Sequence, residues 1–386
     1  MKRLLAAVPS VLAVSAACLA MLPTTAGAAG GCTLVAAPWG SDGASGTLEA
    51  PFRSAQKLVD SLAPGQTGCL RGGAYEESAG LTIAHGGTPE APLSLEGYPG
   101  ETATIVGRIW VSQEAEDVIV TNLDLDGANP ESLPSPTVDG TNITFARDEV
   151  SNGNTAICFD VGSHAGWGVA MGIVITMDRI HNCGVLPADN HEHAIYVEDA
   201  VGTQIAWNLI YANADRGIQL FPDAQDTTVD HNVIDGNGEG IIFSGGYGVA
   251  SEGTNVYDNL LTGATLRHDA ESWYPPGNPL GSHNLLHDNC LWGGKEGALE
   301  TSAGGFSAFD NIEANPLYVD AAAHNYHLRA ASPCLALTGD IASEVPGAAT
   351  VETPAKHAKH VKHATRAQRG HRRDRRHSHG RRYRLR

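Results

Sequence analysis

The chain has 386 residues, a formal net charge of −18 and only 6% aromatic residues. Residues 354–386 hold 13 Lys/Arg and one Asp, or +12, so the rest stands at −30 (−18 − 12). So acidic a body repels nucleic acid and acidic polymers unless cations intervene, and the scarcity of aromatics excludes an aromatic-rich sandwich.

The N-terminus reads as a secretory signal over residues 1–28. Lys2 and Arg3 precede an apolar run interrupted by Pro9, and "AGA" at Ala26–Ala28 offers a small-residue cleavage site. Cys18 is not read as a lipidation cysteine, because Ser15 stands where an aliphatic residue belongs. No later stretch is long and apolar enough to span a bilayer, so no membrane contact is expected after cleavage. The expected location is extracellular, with cell-wall association open. The mature chain then keeps six cysteines, an even number that suggests disulfides in an exported protein. In a stacked fold, sequence neighbours are spatial neighbours, which favours Cys32–Cys69, Cys158–Cys183 and Cys290–Cys334.

A single short helix is expected where Phe52, Ala55, Leu58, Val59 and Leu62 fall at helical spacing. From Ala103 onward one phrase recurs: short strand, turn, short strand. Ile195, Ile218 and Ile241 are 23 residues apart each time (218−195, 241−218), and each follows Ala or Gly. Asn208, Asn232 and Asn259 share one place in the phrase. "AICFD" from Ala156 reads as the same phrase as "AIYVE" from Ala194. A fixed spacing in the twenties marks a solenoid. Strands this short cannot bury an apolar face alone, whereas stacked coils build one continuous core. The stacked Asn should bond along the stack, and Gly should supply positive φ at the corners. The segment after about Val345 has no apolar pattern and reads as a disordered, basic, His-rich tail over residues 346–386.

These features resemble the right-handed parallel β-helix, or pectin-lyase-like, superfamily of secreted proteins. "GSDGASGTLEAPFRSAQKLVDSLAPGQTGCLRGGAYEE" resembles its N-terminal opening, shared with a family of pectate lyases, and "ANPLYVDAAAHNYHLRAASPC" its C-terminal turn. The resemblance covers roughly residues 31–340. It implies an all-β, single-stranded right-handed parallel β-helix over residues 29–345, capped by the short helix. It leaves the activity open, since the superfamily holds lyases, hydrolases, epimerases and non-enzymes.

If the coils stack in register, His193, Arg216 and Glu239 form one column, with Tyr196 and Gln219 on the next outward position. Removing the C5 proton of a uronic acid requires a base and a cation near the carboxylate. His193 could take the proton, Arg216 could stabilise the enolate-like charge, and Tyr196 could return a proton. "DNHEH" followed by "DRGIQL" is similar to the "DPHE" and next-coil Arg of alginate epimerases. The resembled pectate lyases look to a lysine base and aspartate-held calcium, but before the tail the mature chain has only Lys57 and Lys295. The same polar column could equally be a surface ion-pair ladder worth about 0–1 kcal/mol per pair.

Other chemistry stays open. Asp160, Glu198, Asp199, Asp223 and Glu239 could supply the carboxylate pair of a glycoside hydrolase. Corner oxygens of Asp189, Asp215 and Asp223 could hold calcium. His191 with His193, or His283 with His287, could ligate zinc. Trp273 and Tyr274, in a long loop at Leu266–Asn284, could stack on sugar rings. The leading expectation is a monomeric protein acting on an extracellular acidic polysaccharide by β-elimination or C5 epimerisation. A non-catalytic carbohydrate-binding β-helix and a glycoside hydrolase are the alternatives. The basic tail is expected to tether to an anionic polymer such as the cell wall.

Overall fold

A computed structural model describes residues 31–347 except Ala165 and Trp167. The expected signal (1–28) and most of the basic tail therefore lie outside the described residues. The chain winds into a parallel β-solenoid. Successive coils pair parallel along the whole stack, and one of its sheets alone takes ten strands. Few residues are helical. The expected helix spans Ala55–Ser61, with the Ser54 side chain accepting from the Lys57 amide. Its apolar stripe of Phe52, Ala55, Leu58, Val59 and Leu62 is buried against the first coils.

The 23-residue spacing is a true register. Ile195 lies beside Ile218, and Ile218 beside Ile241, all fully buried. One rung departs from expectation. Phe159, not Ile157, pairs with Ile195. The slip is two residues, so no side chain changes face. All three expected disulfides are present.

The Asn stack is longer than the repeat suggested. Asn208, Asn232, Asn259 and Asn289 each donate Nδ2 to the Oδ1 of the next, ending on Asn311, at 2.9–3.0 Å. Upstream the same place is held by Asp178 and Asp148, whose Oδ1 atoms accept backbone amides from the previous rung. The residue just before each ladder position adopts positive φ, and it is not Gly: Arg147, Met177, Trp207, His231, Asp258, Asp288 and Asp310. The glycine expected at this corner is dispensable because the buried ladder fixes the turn.

Asp148 and Asp178 are wholly buried, and each has one oxygen without a partner. Burial pushes the Asp148 carboxyl up to about 8, and lifts Asp178 well above the carboxylate range. Both therefore hold protons in the fold that the unfolded chain releases above about pH 3.9. Their stability contribution is complete below that pH and is lost as pH rises toward about 8. An Asn at either position would keep the acceptor and add the donor used in the later rungs. The double variant Asp148→Asn/Asp178→Asn should thus remove a slope of up to about 1.4 kcal/mol per pH unit per group. Urea midpoints measured between pH 5 and 8 check this. A slope as steep in the variant as in the wild type would contradict it.

Candidate active site

The strands Ile195–Val201, Arg216–Gln225, Glu239–Gly246 and Ala270–Trp273 lie side by side on one face of the solenoid. The expected column forms there. Arg216 pairs directly with Glu239, and His193 lies two residues before Ile195 as Arg216 does before Ile218. On the next outward position Tyr196 lies beside Gln219. Above them is a cleft of about 530 Å³ lined by His193, Tyr196, Arg216, Gln219 and Trp273.

The column is not the surface ladder considered above. Arg216 is 5% exposed and Glu239 is fully buried. The Arg216 Nε donates to Glu239 at 2.9 Å, and Nη1 donates to the Gln219 side chain at 3.0 Å. Arg267, on the following coil, donates to Glu239 at 2.8 Å and also bonds Asp215. Burial pushes the Glu239 carboxyl up to about 7, against the opposing pull of both guanidinium groups. Glu239 does not reach the cleft. Its place is behind Arg216, as an anchor.

His193 is 2% exposed. Burial, then the nearby Arg216 charge, holds its imidazole well below the usual histidine range, so it is neutral. Its Nδ1 is buried with no hydrogen-bond partner, and its ring meets the Tyr196 ring edge-on with centroids 5.4 Å apart. Burial and the charges of Glu198 and Asp160 raise the Tyr196 phenol, which stays protonated. A neutral base and a protonated phenol thus share one wall of the cleft.

The other expected groupings separate. Asp189 is exposed, Asp215 is buried against Arg267, and Asp223 lies beside Asp199 and accepts from Gln225. These three aspartates form no common calcium site. Among the described residues, the only close trio of metal-capable side chains is Cys32, Cys69 and Glu96, and both cysteines are disulfide-bonded. His191 is exposed while His193 is buried, and His287 is bonded to Asp288 and Asn255, so neither histidine pair converges. Asp160, Glu198, Asp199 and Asp223 do not line the cleft, and among the described residues no other carboxylate does. The loop expected at Leu266–Asn284 contains a rung strand, Ala270–Trp273. Trp273 is 53% exposed at the cleft, whereas Tyr274 turns away against Gly281 and Gly305.

The aromatic wall was mostly missed. Phe221 and the 76%-exposed Tyr247 join Trp273 there. Tyr247 sits at the tip of a hairpin joining Glu239–Gly246 to Val249–Ala250. That insertion is out of phase with the repeat. The "GGYG" at its tip was the available signal.

Comparison with known proteins agrees with this architecture. A family model described as "Right handed beta helix region" matches residues 137–312. The chain folds as a parallel β-solenoid, and residues 137–312 are similar to the right-handed β-helix family. It is 26% identical over 327 residues to pectate lyase PEL9 of Emericella nidulans, covering 72% of this chain and 78% of that protein. Among solved structures it resembles pectate lyase Pel9A, with TM-score 0.57 and 14% identity over 79% of this chain and 92% of that one. It also resembles a rhamnogalacturonan lyase, with TM-score 0.53 and 15% identity over 73% and 86% of the two chains. At such identity these two structures bear on the fold alone.

Proposed function

We propose that the protein is a secreted β-helix enzyme that abstracts the C5 proton of a uronic acid in an extracellular polysaccharide, with β-elimination or epimerisation as the outcome. The observation that carries this reading is the meeting of neutral His193, protonated Tyr196 and cationic Arg216 in one aromatic-walled cleft. His193 is the base, Arg216 the partner of the substrate carboxylate, and Tyr196 the proton donor. Phe221, Tyr247 and Trp273 offer ring faces to sugars. The pectate lyase relative supports a polysaccharide substrate. The absence of carboxylates from the cleft lining weighs against a two-carboxylate hydrolase. Since the three aspartates do not converge, no step is assigned to calcium. The basic residues 346–386 are proposed as a tether to anionic polymer.

The test is incubation with pectate, alginate and a glycosaminoglycan, each with calcium or chelator, while following the absorbance of unsaturated uronate ends. A lyase gives rising absorbance on one polymer. New reducing ends without that absorbance would favour hydrolysis and sink this reading.

A further inference from the structure

Arg216 is not open to substrate in this structure. Its Nη1 donates to the Asn190 main-chain oxygen at 2.8 Å and its Nη2 to Asn190 Oδ1 at 2.6 Å. Two oxygens of one residue thus sit on the two prongs of the guanidinium, as the two oxygens of a carboxylate would. Asn190 lies in the segment between Cys183 and Ile195, which forms no strand or helix, and it is exposed. Its φ of +81° belongs to the left-handed region that Asn tolerates better than most residues. The rest of the guanidinium is held by Glu239 behind it and by Gln219 beside it. The Asn190 face is the one through which a ligand could arrive.

Building on the uronate reading of the cleft, we infer that Asn190 is a built-in carboxylate mimic. It occupies Arg216 at rest and yields its place when a uronate carboxylate enters. The physical basis is a difference in charge. Asn190 presents neutral oxygens, so only the guanidinium side of the contact is ionised. A uronate brings charge to both sides and makes the stronger pair. A neutral sugar has no such advantage and leaves the segment closed. The exchange therefore favours acidic sugars at the Arg216 subsite, and Asn190 is its specificity-determining residue.

The experiment labels the full-length protein with an arginine-directed dicarbonyl and follows the Arg216 peptide by mass spectrometry. Gly suits the positive φ at position 190, so Asn190→Gly deletes Oδ1 and leaves the segment its backbone shape. Losing one hydrogen bond to a charged group should speed Arg216 labelling about tenfold. Uronate oligosaccharides from pectate, alginate and a glycosaminoglycan are then each offered to the variant: at least one should protect Arg216, while a neutral galactose trisaccharide should not. Labelling equally slow in the variant and the wild type would overturn the inference. Faster labelling without protection by any of the three uronates would show that Asn190 covers Arg216 but does not stand in a uronate's place. That outcome fails the uronate reading of the site, and it is distinct from the first failure.

Discussion

His193→Asn should lower turnover on the polymer the protein accepts by about 10²–10⁴-fold, the range for loss of a positioned general base. Folding should be affected less than by loss of Arg216, because His193 makes a side-chain hydrogen bond to Gln219 but its Nδ1 makes none. The pH profile carries a second signature. Burial and Arg216 hold the imidazole well below the ordinary histidine range. His193 therefore remains an unprotonated base at pH values where an exposed histidine would be charged. The acid limb of kcat/KM should lie below the usual value near 6.5. Stopped-flow or steady-state rates across pH 4–9 would show it. Full activity in His193→Asn would remove the residue from the mechanism.

Arg216→Ala should cost stability as well as activity, by about 3–5 kcal/mol. As a surface ion-pair ladder, the column would contribute only about 0–1 kcal/mol per pair. The structure shows otherwise. Arg216 and Glu239 are buried together, and removing the guanidinium leaves the Glu239 carboxylate with Arg267 as its remaining cationic partner. Denaturant midpoints with an unchanged m value measure the loss. A midpoint within error of the wild type would show that the network is not structurally coupled. Because fold and chemistry meet at Arg216, an inactive Arg216→Ala protein is not by itself evidence about catalysis, whereas an inactive but stable His193→Asn protein is.

The solenoid was legible because its cause is local and repeated. Isoleucines at a constant interval over three coils, an Asn at each of the later inner corners and cysteines placed a coil or so apart all report the same stacking. The membership of the column followed from the same register. What the column does was less legible, for two reasons. Arg267 comes from a coil beyond the three that were aligned, 52 residues from the Asp215 it binds, and it turns an exposed ladder into a buried network. The cleft wall also depends on insertions that break the repeat: the hairpin carrying Tyr247, and the segment carrying Asn190. Insertion length is readable in the sequence, but the direction in which an insertion folds is not. Asp189, Asp215 and Asp223 failed as a group for the same reason, since their shared position near corners says nothing about which side of the backbone each carboxylate takes.

The most direct test of the account is NMR of the accepted polysaccharide after incubation with the protein in D2O. Abstraction of the C5 proton leaves either a vinylic proton at a new unsaturated end or deuterium at an inverted C5, and one of these two signals is the expected result. Polymer cleaved without either signal, or bound with its C5 protons intact, would contradict it.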